Sequence, residues 1–477
     1  MKSAFICGKS SAREYLDFLR NDARYLQYMS AFCVGILQLS INMNLTWASP
    51  ILPRLLTKDS PIGKPLTNDE ASWVLSCTYL GILTGALLLV LLLDRIGPKC
   101  VLLLGACLSI SSWIILGVAK SFVLLIIGRV VAGIGDGISI ACIYIYVCEI
   151  ASKDIRGRLG AIPVFVGVFG NLFNYGAGPY LTYTIFTICG VIVPTVFFVF
   201  FFFMPNSPYY LVRKGRGKEA ENVIMALSSK TTSRSDMEAM IREVEETVKR
   251  DTGSQTLMQS LLTPNFRKAL LIVSVAMSIT IFSGMDFVSA YLQVILEASS
   301  VSLSKELSSL IFGLVQVPSV MVSGLLLDKF GRRPLLCFSS FCAGVAIFAE
   351  GIYLYLQKTV DLNNVAFLPA LCLISFKMFA SFGILYLPTF IAGELFAIGT
   401  KKVGNLITSC YSSGMVFAHL KVVGSVYESW GIYTICWFSG GFCFLGALFS
   451  FYLLPETKGK TFNEIQNDLS STRNNVV

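Results

Sequence analysis

Hydrophobic and polar positions alternate along the chain in long blocks. Continuous apolar runs of about 20 residues or more are separated by short segments rich in charge, proline or glycine, which is typical of membrane-spanning helices. The runs lie at residues 25–50, 71–93, 101–119, 122–148, 159–180, 183–204, 266–296, 308–327, 334–356, 365–393, 404–424 and 430–454. They lack the alternating segments of about ten residues that mark membrane strands, so we predict an all-α integral membrane protein with twelve transmembrane helices.

Composition and charge support this prediction and orient the chain. Of the 477 residues, 54% are hydrophobic and 14% are charged, whereas about 25% are charged in a typical soluble protein. In the predicted topology, 29 of the 38 Lys and Arg residues lie on the side of the amino terminus, seven on the opposite side and two within the runs. By the positive-inside rule, both termini are predicted to be cytoplasmic.

One long polar stretch divides the runs into two sets of six. We therefore predict a tail at 1–24, a first half at 25–204, a cytoplasmic linker with short helices at 205–265, a second half at 266–454 and a tail at 455–477. Within the linker, Ser235 and Glu238 have the spacing of a helix capping box, and an apolar helical stripe follows from Met237 to Val248.

Three loop motifs occur twice, in the same order. Asp94 to Lys99 matches Asp328 to Arg333, Glu149 with Arg156 matches Glu394 with Lys401, and a Pro-led motif begins at both 205 and 455. The paired motifs are separated by 234, 245 and 250 residues, respectively. Such regular offsets predict two homologous six-helix halves.

The loops at the cytoplasmic side combine acids, bases and glycines. Gly97 and Gly331 allow tight reversals between helices. Charged groups at the ends of neighbouring helices can form ion pairs across the inner mouth, which hold one conformation closed and break in another. The alternative is that the basic residues only enforce topology.

Further motifs, together with these loops, follow the order of a known family. They are Gly128-Arg129 with Gly133, Gly135 and Gly137, Glu149 through Arg156-Gly157, Pro205-Asn206-Ser207-Pro208, Phe282-Ser283-Gly284, Asp328 through Arg333, Glu394-Leu395-Phe396 and Leu454 through Thr461. On these motifs the chain resembles a sugar porter of the major facilitator superfamily, and Trp47 and Phe417 with Lys421 resemble the insect facilitated trehalose transporter-like members. The resemblance implies the major facilitator fold, with a central cavity that opens alternately to each side.

The resemblance also implies a set of residues that control the conformational cycle. These are Asp94, Arg95, Gly97, Arg129, Glu149, Arg156, Asp328, Gly331, Arg332, Arg333, Glu394 and Lys401.

Several positions depart from the family's sugar ligands. Thr280 and Ile281 stand where two glutamines are usual, Asp286 replaces an asparagine and Val164 another glutamine. The tryptophan patterns of the tenth and eleventh spans are replaced by 385–389 and 412–413. Since amides supply both donors and acceptors to sugar hydroxyls, the sugar-binding equipment is altered.

Charge is gained instead. Arg129 and Asp136 lie on the fourth span, Asp286 on the seventh and Lys377 on the tenth. Intramembrane charges mark functional sites. We expect Asp286 and Lys377 to pair across the cavity or together to bind a polar or zwitterionic substrate, and the alternative is a structural ion pair. The candidate substrate-binding residues are Thr280, Ser283, Asp286, Tyr291, Lys377, Thr389 and Ser412.

We predict a facilitative transmembrane transporter of a sugar, trehalose or a hexose, in the plasma membrane as a multi-pass protein. The first run contains no acidic residue, which favours facilitated diffusion over proton coupling, although Asp136 or Asp286 could titrate instead. The alternatives are a carrier of a charged or zwitterionic organic solute and a nutrient receptor that does not transport.

An enzyme is not expected, because the sequence contains no phosphate-cradling loop, metal-ligand spacing or Ser-His-Asp arrangement. We expect a small-molecule substrate and the lipid bilayer as partners. We expect no cofactor, metal, nucleic acid or obligate protein partner.

Overall fold

A computed structural model describes most of the chain. The described residues are 24–58, 60–152, 154–228, 240–242, 244–246, 248, 263–299, 304–396, 400–458, 460 and 464, without the side chains of Arg24, Asp328 and Asn363. All regular structure within them is helical. The predicted capping box lies outside the described residues, because it rests on Ser235 and Glu238.

The first half and the start of the linker form eight helices in the described residues. They are α1 (Arg24–Thr46), α2 (Ala48–Leu56), α3 (Asn68–Val118), α4 (Phe122–Ile150), α5 (Arg156–Gly176), α6 (Tyr183–Phe202), α7 (Pro208–Arg213) and α8 (Gly217–Leu227). Residues 240–242, 244–246 and 248 are also helical, and Val244 and Val248 of the predicted apolar stripe are buried.

The second half continues with eight α-helices in the described residues. They are α9 (Pro264–Phe282), α10 (Met285–Ala298), α11 (Lys305–Phe330), α12 (Arg332–Leu356), α13 (Leu368–Phe382), α14 (Leu387–Leu395), α15 (Lys401–Trp430) and α16 (Ile432–Tyr452). A short 3₁₀ helix at Asn363–Val365 precedes α13.

Helix α3 crosses the membrane region twice. Its 51 residues would span about 76 Å as one straight helix, more than twice the hydrocarbon core of about 30 Å. Gly97, at φ 81° and ψ 162°, breaks the helical path. The left-handed φ favours glycine, and a Cβ there would lie 2.8 Å from the Tyr210 ring. The same reversal occurs at Gly331 (φ 89°) between α11 and α12, as the repeat predicts.

The predicted number of spans is confirmed. Among the described residues, eleven helical segments are long and apolar enough to cross a membrane. The break at Gly97 divides the longest of them into two spans, so the segments provide twelve crossings. The chain is thus an all-helical, multi-pass membrane protein.

Three spans are interrupted, which the apolar runs did not predict. The first span changes helix at Trp47, the seventh at Ser283 and Gly284, and the tenth between Phe382 and Leu387. Gly284 adopts a left-handed φ of 84°. Continuous hydrophobicity hides these breaks, because backbone groups can leave the helical ladder wherever neighbouring protein atoms satisfy them.

The two ends of the bundle are distinguished by what they carry. We name the end that holds Gly97, Gly331 and α7 the linker end, and the end that holds Asp69 and Lys421 the far end. The start of the linker is attached to the first half, since Gln27 donates to the Leu227 carbonyl at 2.7 Å and Tyr146 to that of Pro205 at 2.9 Å.

Most of the buried apolar side chains belong to two clusters. One cluster packs α1, α3, α4 and α6 of the first half against one another and reaches Leu227 of α8. A larger cluster crosses between the halves, and it includes Trp47 and Ile51 from the first half with Val288 and Ile295 from the second. The halves therefore share an apolar core near the far end.

Candidate functional site

A cavity lies between the two halves, near the middle of the bundle. Its empty volume is about 890 Å³, counted together with the open space at its mouth. The cavity is lined by Gln38, Asn42, Leu45, Thr46, Leu75, Tyr79, Arg129, Tyr144, Val164, Asn171, Met285, Asp286, Ser289, Ala290, Gln316, Lys377, Leu385, Tyr386 and Leu420.

The breaks in the seventh and tenth spans position two of the charged lining residues. Asp286 lies in the first turn of α10, directly after the break at Gly284, where the helix dipole stabilises a carboxylate. Lys377 projects from α13, one turn before that helix ends at Phe382. Both side chains therefore lie beside non-helical backbone.

Hydroxyl groups bind the non-helical backbone of these breaks. The Thr280 hydroxyl donates to the Ile384 carbonyl at 2.7 Å, and the Ile384 N–H donates to Ser339 at 3.1 Å. The Ser283 hydroxyl donates to the Thr280 carbonyl at 2.7 Å. Backbone groups at membrane depth need such partners, so the contacts made by Thr280 and Ser283 are structural.

Asp286 contacts the other half of the molecule. The hydroxyl of Tyr79, on α3, donates to Asp286 Oδ1 at 3.2 Å. Lys377 lies over two rings, with its Nζ 5.1 Å from the centroid of Phe312 and 5.9 Å from that of Tyr175. Among the described ion pairs none joins Asp286 to Lys377, although the two charges attract each other across the cavity. The predicted direct pair is therefore absent from this conformation.

The remaining candidates lie outside the lining of this cavity, as far as the structure describes it. Tyr291 is 5% exposed and packs against Phe287 and Tyr427, with ring centroids 5.3 and 6.4 Å away. Thr389 is exposed on α14, and Ser412 is half-buried on α15. Of the predicted substrate-binding residues, the structure brings Asp286 and Lys377 together in one cavity.

Neutral amides in the cavity were missed by the sequence analysis. Gln38 and Asn42 lie on α1, Asn171 on α5 and Gln316 on α11. Asn171 donates to Gln316 at 3.2 Å, so this contact also joins the halves. The available signal was an amide inside an apolar run, which is costly in a membrane unless it has a partner or a function.

Arg129 and Asp136 are connected through an asparagine of the first span. Arg129 donates to the Asn44 carbonyl at 2.7 Å and lies 5.1 Å from the Trp47 ring centroid. The Asn44 side chain donates to Asp136 Oδ1 at 3.1 Å. All three polar residues are buried. Asn44 therefore links Arg129 to Asp136 through two hydrogen bonds.

The predicted gating residues of the second half form a compact network at the linker end. Arg332 donates to Glu394 Oε1 through Nε at 3.1 Å and Nη2 at 2.6 Å. Thr457 donates to Glu394 Oε2 at 2.6 Å. Arg333 donates to the Phe451 carbonyl. The Asp328 side chain lies outside the described residues.

Glu456 completes this network, although it was not among the predicted gating residues. Its carboxylate accepts the N–H groups of Arg332 at 3.1 Å and Arg333 at 3.0 Å, which begin α12. Burial alone would raise the pKa of Glu456, but these bonds and those from Lys458 and Thr457 lower it below its ordinary value of 4.5.

The first half has a different network at the same end. Asp94 pairs with Arg213 of α7, and the Tyr210 hydroxyl donates to the Arg95 carbonyl at 3.2 Å. Both partners belong to α7, which the loop motifs did not identify. The remaining predicted charges are close together, since Glu149, Arg156 and Lys401 all interact electrostatically with Cys148.

At the far end, an ion pair joins the halves. Lys421 of α15 pairs with Asp69 of α3, donates to Ser72 at 3.0 Å and lies 4.6 Å from the Trp73 ring centroid. Trp73 also contacts Phe417, with centroids 6.1 Å apart. The sequence analysis noted Lys421 and Phe417 as family features without assigning this contact.

Known proteins resemble the chain over nearly its whole length. A family model described as sugar (and other) transporter matches residues 30–469. The facilitated trehalose transporter Tret1 of Apis mellifera ligustica is 25% identical over 95% of this chain and 90% of its own length. The facilitated glucose transporter member 6 of solute carrier family 2 from Mus musculus is 26% identical over 92% of this chain and 90% of its own.

A solved structure has the same fold. The xylose transporter XylE from E. coli, in a partially occluded inward open conformation, matches with a TM-score of 0.73. The match covers 92% of this chain and 99% of that one, at 19% sequence identity. The predicted major facilitator sugar-porter fold is therefore confirmed.

Proposed function

Because the chain belongs to the sugar (and other) transporter family, we propose that it is a facilitative sugar transporter that works by alternating access. The family consists of transporters rather than enzymes. Curated relatives from insects and mouse are named as facilitated trehalose and glucose transporters. We propose trehalose or a hexose as the substrate.

The cavity between the halves is the observation that carries this proposal. Its lining combines four amides with the hydroxyl groups of Thr46, Tyr79, Tyr144, Ser289 and Tyr386. Amides offer both donors and acceptors, and hydroxyls do the same, so the lining suits a ligand rich in neutral hydroxyl groups. We propose that these groups bind the sugar in place of the glutamine and tryptophan ligands of the sugar-porter pattern, which this chain lacks at the usual positions.

Alternating access follows from how the halves are joined. A midplane site between two halves is reached from either side when the halves rock against each other. We propose that the far-end contacts of Asp69, Lys421 and Trp73 break when the cavity opens to that end. The predicted gating residues of the linker end stabilise each half and, with Arg129, control the cycle.

Facilitated diffusion is supported by the partner of Arg129. In proton-coupled members of the resembled family, an acid of the first span holds this arginine, and its protonation releases the pair. Here the backbone carbonyl of Asn44 accepts from Arg129, and a backbone carbonyl does not titrate in the physiological range. We therefore propose that transport needs no proton gradient.

We propose that the linker end and both termini are cytoplasmic and that the protein resides in the plasma membrane. The excess of basic residues on the linker side supports this orientation. The boundaries 1–24, 25–204, 205–265, 266–454 and 455–477 serve as the domain division.

Uptake by proteoliposomes tests the proposed function. Purified protein is reconstituted with equal pH on both sides, and labelled trehalose and glucose are added outside. We expect saturable uptake that ends at equal concentrations, at a rate that an imposed pH gradient leaves unchanged. Folded protein that takes up neither sugar would contradict the proposal, and accumulation driven by a pH gradient would contradict its facilitative part.

A further inference from the structure

The ammonium group of Lys377 has no role in the function proposed above. Lys377 is 2% exposed and lines the cavity. Within the part of the chain that the structure describes, it faces only the Phe312 and Tyr175 rings at close range and makes no hydrogen bond or ion pair. An ammonium group carries three N–H donors, and a charge at membrane depth marks a functional site.

Asp286 balances this charge without occupying its donors. The carboxylate attracts Lys377 across the cavity, but its Oδ1 accepts the Tyr79 hydroxyl from the other half. The third charged lining group, Arg129, donates to the carbonyl oxygens of Asn44 and Val74. Among the described lining residues, Lys377 is thus a cation whose donors make no hydrogen bond, and it can receive an acceptor from a ligand.

The neighbouring groups define the rest of that ligand. Gln316 lies one turn from Phe312 on α11 and, like Asn171, lines the same cavity. Amides suit hydroxyl groups, whereas Lys377 suits an anion. A phosphate ester, with about −1.5 to −2 charges, would place more negative charge beside the Asp286 carboxylate than Lys377 balances.

We infer that the cavity binds a sugar acid, a hydroxyl-rich ligand with one carboxylate, and that Lys377 holds the carboxylate. This inference rests on the proposed function and names a substrate class for its site. The carboxylate accepts from the Lys377 ammonium group beside the Phe312 ring, and the hydroxyls bind the amides of both halves. Asp286 stays bonded to Tyr79 and excludes more highly charged anions.

Glucuronate and glucose provide the matched pair of probes, because they differ only in the carboxylate at one carbon. Proteoliposomes with the full chain receive either labelled compound, and the purified protein is also tested for thermal stabilisation by each. We expect uptake of both. Lys377→Met should lower the ratio of glucuronate uptake to glucose uptake about tenfold, as the loss of one charge-assisted bond predicts.

Three further variants serve as controls for this test. Lys377→Met combined with Asp286→Asn preserves the net charge of the cavity, so it guards against misfolding caused by an uncompensated acid. Lys377→Arg should retain glucuronate uptake. Lys305→Met is the matched control, since this lysine begins α11, pairs with Glu297 of α10 at 3.4 Å and is 38% exposed.

The outcomes separate the two proposals. Glucose uptake without glucuronate uptake or stabilisation would overturn the sugar-acid site and leave the proposed function standing. Glucuronate uptake that is unchanged in both Lys377→Met variants would also overturn the site. Uptake of a zwitterion such as alanine in place of glucuronate would do the same. Absence of uptake of every sugar by folded protein would overturn the proposed function and this inference with it.

Discussion

The two ends of the bundle use ion pairs differently. At the linker end, the described pair Asp94–Arg213 joins the first half to the start of the linker, and Arg332–Glu394 lies within the second half. At the far end, Lys421–Asp69 joins one half to the other. The sequence motifs identify Asp94, Arg332 and Glu394 of the linker end. Among the described pairs, Lys421–Asp69 is the one that closes a path between the halves.

This difference assigns distinct tasks to the two ends. A pair within one half can persist while the halves rock, so it fastens the helix ends of a rigid body. A pair between the halves must break whenever its end opens, and a bias of a few kcal/mol sets the resting population. The far end therefore controls access in this conformation, with support from the apolar contacts around Trp47 and Val288.

The largest expected effect comes from locking the far end. A Cβ placed on Gly424 of α15 would lie 2.5 Å from the Ser72 Cβ of α3. Disulfides need a Cβ separation of about 3.8 Å, which a shift of about 1 Å provides. We expect Ser72→Cys with Gly424→Cys to cross-link under mild oxidation and to abolish sugar uptake by proteoliposomes, because the halves can no longer separate there.

Reduction of the disulfide should restore uptake in the same sample. The single variants Ser72→Cys and Gly424→Cys, treated with the same oxidant, control for the native cysteines. A cross-linked protein that transports at the normal rate would refute the idea that the far end must open.

The second prediction compares how much the two linker-end ion pairs stabilise the fold. In Arg332–Glu394 the side chains are 19% and 28% exposed, whereas in Arg213–Asp94 they are 25% and 68% exposed. Removing Arg332 leaves a half-buried carboxylate short of donors and should cost about 1–3 kcal/mol. Arg213→Gln should cost about 0–1 kcal/mol, because solvent screens an exposed pair.

Thermal unfolding of the purified protein measures this difference. Arg332→Gln should lower the midpoint clearly more than Arg213→Gln, and Glu394→Gln should behave like Arg332→Gln. Equal shifts of the midpoint for Arg332→Gln and Arg213→Gln would show that the Arg332–Glu394 pair stabilises the fold no more than the Arg213–Asp94 pair does.

Most of the fold could be predicted from the sequence. Spans follow from apolar runs because backbone polar groups in lipid must be satisfied within each helix, and the reversal at Gly97 was visible as glycine between charged residues. The break at Gly284 was not predicted as a helix end. The Ser283 carbonyl beside it accepts from Cys443 Sγ of the last span at 3.9 Å, and a hydrophobic run carries no record of such a contact.

The candidate site was predicted less completely. Asp286 and Lys377 were identified because charge inside a span is rare, and the structure brings both into one cavity. Gln38 and Asn171 escaped because an amide in an apolar run is a weaker signal. Thr280 was assigned to substrate, yet its hydroxyl binds the Ile384 carbonyl, which depends on a backbone break in another span.

A smaller effect is expected from weakening the far-end pair. Lys421 and Asp69 have side chains that are 23% and 63% exposed, so Lys421→Met should shift the balance between states by about 0.2–1 kcal/mol, or about 1.4- to 5-fold. A cysteine in place of Ser72, which is buried beside Gly424, reports the opening. Its labelling by a membrane-impermeant thiol reagent should accelerate by that factor in Lys421→Met. Protein without this cysteine gives the background, and an unchanged or slower rate would argue against a closing role for the pair.

The smallest effect concerns Glu456, which binds the start of α12 instead of joining the halves. Its pKa in the folded protein lies below its ordinary value of 4.5, so the ionised form stabilises the fold. This contribution is complete above the ordinary value and is lost as the pH falls through the lowered pKa. As the pH is lowered from about 5 to about 3, the thermal unfolding midpoint of the parent protein should therefore decrease, and that of Glu456→Gln should decrease less. Because the carboxylate is partly exposed, we expect a difference well below that of Arg332→Gln. Identical pH profiles for the two proteins would mean that the backbone N–H groups of Arg332 and Arg333 gain nothing from the charge of Glu456, and that the ion pair to Glu394 alone fastens this end.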